Sequence, residues 1–227
     1  MSTNLGILVD PVTPKNGFQI AKDNQITLKQ VLVTHHHSDH QNIPELRKLS
    51  TIPVISGDDR VPEAEIVENN QEWTIGEMTI KSIFTPGHTT GHMSYYITDS
   101  THSEHHIFTG DFLFIGGCGR LFEGDATMMW TSMKRLKQLP KESKIWVGHE
   151  YTLSNYKWAI SIDPSNSHLQ DRLKWAQNTE CTIPSTLEEE LKSNLFLQSD
   201  TKRMMELTNS DTAVKCLHYL RDSKDTF

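Results

Sequence analysis

The stretch Thr34-His35-His36-His37-Ser38-Asp39-His40 packs four imidazoles and a carboxylate into seven residues, and few folds can use such a segment. Neutral imidazole and carboxylate are the ligand set of zinc and related transition metals. Ahead of the segment stands Val31-Leu32-Val33-Thr34, a run of apolar and β-branched residues that predicts a short buried strand. The histidines therefore leave a strand tip, where several side chains can turn toward one point. His35 and His37, two apart, can bind one ion while Asp39 and His40 face a second.

A histidine tract alone is only a compositional hint. Three further apolar stretches, however, end in the same way. His88 closes Ile83-Phe84-Thr85-Pro86-Gly87-His88, Asp111 closes Ile107-Phe108-Thr109-Gly110-Asp111, and His149 closes Ile145-Trp146-Val147-Gly148-His149. Four strand ends, each finished by a metal-ligand residue type with glycine beside three of them, point to a metal site assembled from distant parts of the chain.

The pattern His35-x-His37-x-Asp39-His40 followed by single His, Asp and His resembles the metallo-β-lactamase superfamily. Gly87-His88-Thr89-Thr90-Gly91-His92, Thr109-Gly110-Asp111, Gly117-Cys118-Gly119-Arg120-Leu121-Phe122-Glu123-Gly124, Gly148-His149-Glu150-Tyr151-Thr152 and the tail Arg221-Asp222-Ser223-Lys224-Asp225-x-Phe227 narrow the resemblance to glyoxalase II, the hydroxyacylglutathione hydrolases. The likeness runs from about Ile7 to Phe227. It implies an α/β fold, the αββα sandwich of the superfamily with a small C-terminal helical domain. The expected division is residues 1–150 for the sandwich and 151–227 for a helical, glutathione-binding domain. In two places the chain departs from the family. Relatives usually carry further strands ahead of the one ending in Asp-Pro, so the sandwich is expected without its first strands and with that sheet edge uncovered. Gln41-Asn42 also replaces the two glycines common after the last histidine, so an altered turn is expected there.

With 227 residues, 36% of them hydrophobic and 22% charged, a net charge of −7 and a mean hydropathy of −0.51, the chain has the balance of a soluble globular protein. No apolar run approaches the roughly 18 residues of a membrane span, and no basic-then-apolar signal opens the chain. A cytoplasmic location is the expectation. Net acidity without a basic run argues against nucleic-acid binding. Cys118, Cys181 and Cys216 are too few and too scattered for a disulfide framework. Cys118, between glycines, reads as a small residue in a tight loop. Oligomeric state is not legible.

Along the chain, Gly6 to Val9 predicts a strand ended by Asp10-Pro11, and a short helix is expected between Pro14 and Lys29. Ile43 to Leu49 reads as a helix with Ile43, Leu46 and Leu49 on one face. From Ile52 to Thr98, short apolar runs at Pro53–Ile55, Ile66–Val67, Met78–Ile80, Ile83–Thr85 and Met93–Ile97 suggest one sheet of a sandwich. Asp99 to His106, with His102, His105 and His106, reads as a solvated hairpin tip. Met129, Met133 and Leu136 predict a helix stopped by Pro140, and Lys144 to Gly148 the last buried strand. After Tyr151 only helical patterns remain, at 156–160, 169–175, 187–191 and 212–220.

The resemblance implies two divalent ions, zinc first with iron or manganese as alternatives, held by His35, His37 and His88 on one side and Asp39, His40 and His149 on the other, with Asp111 bridging. It assigns catalysis to Asp39 and Asp111 with a metal-bridging hydroxide, and substrate binding to Arg120, Phe122, Tyr151, Arg221 and Lys224. Glutathione carries two carboxylates, and arginine binds a carboxylate through two parallel hydrogen bonds. Phe122 stands where some relatives have a tyrosine. His92 is placed by the resemblance as a supporting residue. The implied reaction is hydrolysis of S-D-lactoylglutathione to D-lactate and glutathione, a step in methylglyoxal detoxification. The alternatives are a persulfide dioxygenase of the same superfamily, and a metal-binding relative without activity.

Overall fold

The computed structural model describes residues 4–227. Leu5–Val9 (β1) leads through the helix Pro14–Asp23 (α1) to Thr27–Val33 (β2), and Ile43–Leu49 (α2) then leads to Val54–Ser56 (β3) and Ala64–Ile66 (β4). The four strands pair in sequence order, all parallel. Parallel neighbours need crossovers, and here helices supply the first two. Pro14 fits the first turn of α1, where its missing N–H costs nothing. The apolar run of β2 is explained by burial on both faces: Val31 and Val33 pack under the helices with Ile43 and Leu46, while Leu32 faces the second sheet. β1 is an edge strand, paired among the described residues with β2 alone.

Glu72–Ile75 (β5), Met78–Phe84 (β6), Met93–Asp99 (β7) and Glu104–Gly110 (β8) follow as an antiparallel meander. Leu113–Phe114 (β9) and Gly117–Cys118 (β10) form a small ribbon, and Ala126–Leu136 (α3) leads to Lys144–Val147 (β11), which lies parallel to β8. Thr152–Ile162 (α4) and Ser167–Gln177 (α5) precede Ser185–Thr186 (β12). Leu187–Ser193 (α6), Lys202–Leu207 (α7) and Ala213–Asp225 (α8) complete the chain. The second sheet runs β12-β11-β8-β7-β6-β5. The two sheets meet through Leu32, Ile55, Ile80, Met93, Tyr95 and Ile97, with α1 and α2 outside one and α3 and the later helices outside the other, so the architecture is αββα.

The sequence-based expectations need amending in three places. The hairpin tip is shorter than expected: β8 starts at Glu104, so His105 and His106 lie in a strand, where the Trp146 indole N–H donates to His106 at 3.0 Å. β5, the β9–β10 ribbon, β12 and α7 are additional elements, and β12 corrects the expectation of helices alone after Tyr151, since Ser185–Thr186 pairs with β11 at the edge of the second sheet. The turn after His40 uses no left-handed residue: Asn42 has φ −143° and caps α2 by accepting the Glu45 N–H at 3.2 Å, while the Gln41 amide donates to the His36 carbonyl. Polar side chains here replace the freedom that glycine would give.

The core under α3 is continuous with the helical region. Ile107, Ile145, Met129 and Met133 share one cluster with Tyr156, Trp158, Phe196, Leu217 and Leu220, and the Trp158 and Phe196 rings stack at 5.0 Å. Truncating Trp158 or Phe196 to alanine would open a cavity there and cost about 3–5 kcal/mol.

Candidate metal centre

Each ligand candidate lies within a few residues of a strand's C-terminal end: His35 to His40 after β2, His88 after β6, Asp111 after β8 and His149 after β11. Two glycines permit the convergence. Gly110 turns at φ +46°, and a Cβ there would run into Thr34. A Cβ on Gly148 would lie 2.5 Å from Asp111 Oδ1 and 2.7 Å from His40 Cε1.

All seven side chains named from the sequence converge. His35, His37 and His88 form one group able to hold an ion, and Asp39, His40 and His149 another. Asp111 reaches both: its Oδ1 lies 3.1 Å from His40 Nε2 and 3.6 Å from His149 Nε2, and its Oδ2 3.6 Å from His88 Nε2. His35 also groups with His40 and Asp111, so it stands at the junction.

The outward side of the imidazoles sets their chemistry. The Thr34 hydroxyl donates to Asp10 at 2.7 Å, so it accepts from His35 Nδ1–H at 3.0 Å and leaves Nε2 bare. His88 Nδ1–H donates to the Arg120 carbonyl at 2.8 Å and His40 Nδ1–H to Asp10 at 2.8 Å. Burial, with neighbouring imidazoles, holds His35 far below the ordinary histidine range. Burial also lowers His88 and His37. His40 goes the other way. Burial opposes its charge, yet the bonds and charges of Asp10 and Asp111 hold it up at about 10, so without a metal a proton stands where a cation's charge belongs.

The donors fit divalent ions. His35 Nε2 is buried and has no hydrogen-bond partner among the described residues. Buried polar atoms are rarely left so. His37 Nδ1 and His88 Nε2 face each other at 3.1 Å, as do the Nε2 atoms of His40 and His149 at 3.2 Å.

Arg120, Phe122, Tyr151, Arg221 and Lys224 line one cavity of about 440 Å³ together with His37, Asp39, His88, Asp111 and His149. Phe122 sets its ring edge-on to His37 and His88, and Tyr151 stacks on His149 at 5.1 Å. Arg120 pairs with Asp225 at 2.9 Å. Arg221 is buried and donates to the Cys118 carbonyl at 2.6 Å and to Asp225 at 3.0 Å. Lys224 makes no ion pair among the described residues. Burial, then the Arg221 charge, pulls it down to about 8.

Sequence reasoning placed His92 as a supporting residue but missed Asp10 and Asp58. Asp10, at φ +48°, bonds both Thr34 and His40. Buried Asp58 accepts from His36 and Arg60, and Arg60 reaches on to Glu123, tying the ligand loop to the loop of Phe122. Asp10 and Asp58 also follow apolar strands, the same signal that marked the ligands. His92 is buried, stacks on His35 at 5.1 Å and bonds Thr85.

A family profile described as "Hydroxyacylglutathione hydrolase C-terminus" matches residues 150–227, and one described as "Beta-lactamase superfamily domain" matches residues 1–120. The chain is 38% identical to a cytoplasmic hydroxyacylglutathione hydrolase of Arabidopsis thaliana, over 99% of this chain and 91% of the relative. It is 36% identical to a hydroxyacylglutathione hydrolase-like protein of Gallus gallus, over 100% of this chain and 83% of the relative. Among solved structures, ETHE1 from Myxococcus xanthus superposes with a TM-score of 0.67 at 22% identity, covering 100% of this chain and 91% of that one. TTHA1623 in a di-iron-bound form superposes with a TM-score of 0.55 at 21% identity, covering 83% and 86%. At such identities these likenesses show the fold alone. No helix among the described residues is long and apolar enough to cross a membrane. On the full-length similarity and the two profile matches, the chain belongs to the hydroxyacylglutathione hydrolase family within the β-lactamase superfamily.

Proposed function

We propose that the protein is a binuclear metal-dependent thioesterase that hydrolyses S-D-lactoylglutathione and related 2-hydroxyacyl glutathione thioesters. The observation that carries this reading is Asp111, standing between two imidazole groups in a chain whose named relatives are hydroxyacylglutathione hydrolases. His35, His37 and His88 would hold one divalent ion, Asp39, His40 and His149 the other, and Asp111 both. Zinc is the first choice, with iron or manganese as alternatives; a neighbour of the same fold is described as di-iron-bound. Two such ions supply an acidified water and a Lewis acid for the acyl carbonyl.

The chain's own groups do the rest. Burial acts to raise the Asp39 carboxyl, but a backbone N–H and the nearby His40 and His149 outweigh it and hold Asp39 ionised at neutral pH. Asp39 is therefore an acceptor for a proton of the attacking water, and Asp111 is the second carboxylate lining the same cavity. Lys224 and Arg120 present cationic N–H groups to the carboxylates of the glutathione moiety, and Arg221 adds positive charge beneath them. Phe122 and Tyr151 wall the acyl end against the imidazoles. The thiolate leaves without an acid, since thiols ionise near pH 8.5. We assign residues 1–150 to the metal-binding sandwich and 151–227 to the helical, glutathione-binding domain, and the protein to the cytoplasm.

The test follows the loss of thioester absorbance with purified protein loaded in turn with zinc, iron and manganese. Metal-dependent loss of S-D-lactoylglutathione is expected. Absence of turnover with every metal leaves a metal-binding protein without activity. Oxygen consumption with glutathione persulfide in place of hydrolysis makes it a dioxygenase.

A further inference from the structure

The ribbon β9–β10 and the two residues on either side of its turn carry the chain from Asp111 toward Arg120, and the helical region satisfies their backbone residue by residue. The Asn194 amide donates to the carbonyls of Phe114 at 3.1 Å and Gly117 at 2.9 Å, and the Asn155 amide to that of Ile115 at 2.8 Å. The Gly116 N–H donates to Glu190 at 2.9 Å. Arg221 Nη1 donates to the carbonyls of Cys118 at 2.6 Å and Gly119 at 3.4 Å. All four side chains are buried, and they come from α4, α6 and the residue just after it, and α8. Buried polar side chains persist where their partners are fixed. Here the fixed partner is the main chain of residues 114–119.

That main chain leads directly to the metal centre. Gly119 lies so close to Asp111 and His88 that a Cβ would run into the Asp111 carbonyl and come within 2.9 Å of His88 Nδ1. The next carbonyl, that of Arg120, accepts His88 Nδ1–H and so decides that Nε2 faces the site. Arg221 holds the two carbonyls immediately before it.

We propose that Arg221 is a positioning residue for the metal centre, fixing residues 118–120 so that the Arg120 carbonyl keeps His88 in its Nδ1–H tautomer. Its Nη1 and Nη2 groups donate to Cys118, Gly119 and Asp225, its buried Nε has no hydrogen-bond partner among the described residues, and its guanidinium lies 5.4 Å from the Phe196 ring centroid. The helical region thus acts on the metal as well as on the substrate. The inference rests on the proposed role of His88 as a ligand only in its affinity arm; the tautomer of the metal-free chain is independent of that role, so the two fail separately.

The experiment compares wild type with Arg221→Met, which keeps an apolar stem over Phe196. Nitrogen-15 histidine spectra of the metal-free proteins are expected to show one Nδ1–H tautomer for His88 in the wild type and a mixture in the variant. Metal affinity by chelator competition is expected to fall roughly 10- to 100-fold. Arg221→Lys, which keeps one donor for Cys118, is expected to lie between the two. An unchanged tautomer and metal affinity with KM raised tenfold makes Arg221 a substrate ligand and overturns the proposal. A lower Tm as the sole change also overturns it. Should the Met variant not fold, the Lys variant carries the same readouts, and wild-type tautomer and affinity in it count against the proposal.

Discussion

At the metal end of the cleft, three of the five imidazoles are held from behind by a fixed acceptor: Thr34 for His35, Asp10 for His40 and the Arg120 carbonyl for His88. At the other end, Arg120 is largely exposed and paired to Asp225, while Lys224 hangs over the Trp158 ring at 5.4 Å with no carboxylate partner among the described residues. One end is preorganised and burdened with unsatisfied buried atoms. The other is open and waits for anions. The difference matches the tasks: ligand geometry must be set before an ion arrives, whereas a flexible thiol carrier supplies its own fit.

Removing the bridge should have the largest effect. Asp111→Asn is expected to lower kcat/KM on the order of 10³-fold, since losing several kcal/mol of charge stabilisation costs about tenfold per 1.4 kcal/mol. Steady-state thioester kinetics give the number, and near-normal activity would erase the distinction between the two ends. A smaller change is expected from the supporting layer: Asp10→Asn leaves His40 its shape but weakens its acceptor, and metal affinity should drop roughly 10- to 100-fold. Chelator competition measures it, and an effect confined to KM would place Asp10 at the substrate end instead.

The open end should respond in KM alone. Lys224→Ala removes one hydrogen bond to a charged group, about 1.5–3 kcal/mol, and so raises KM about tenfold or more while kcat stays within about twofold. The depressed pKa sharpens this. Lys224 is cationic below about 8 and neutral above it, so wild-type KM should climb as pH passes that value. In Lys224→Arg, whose guanidinium keeps its proton, the climb should vanish. A wild-type KM that stays flat across that pH excludes Lys224 as the anion's partner.

The contrast between the ends also explains what the sequence disclosed. The candidate ligands were legible because metal chemistry admits few residue types, and because strands such as Val31–Val33 and Ile145–Val147 announce themselves as apolar runs just ahead of them. The proposed substrate residues are generic cations and aromatics, named only through family resemblance. Glu190 and Asn194 were hidden altogether: Leu187-Glu188-Glu189-Glu190-Leu191-Lys192-Ser193-Asn194 reads as a solvated helix, and the burial of Glu190 is created by Gly116, 74 residues away. Burial there lifts the Glu190 carboxyl above its ordinary range. His105 and His106 misled in the opposite sense, since their polarity suggested a tip while Tyr96 and Trp146 hold them in a strand. Local pattern carries no information on such distant partners.

The central claim is that side chains from four strand ends hold two divalent ions on which thioester hydrolysis depends. The most direct measurement titrates zinc into chelator-stripped protein while following S-D-lactoylglutathione hydrolysis. Two equivalents are expected to bind per chain, with full activity reached only as the second is taken up. Saturation at a single equivalent, or turnover by the metal-free chain, would contradict it.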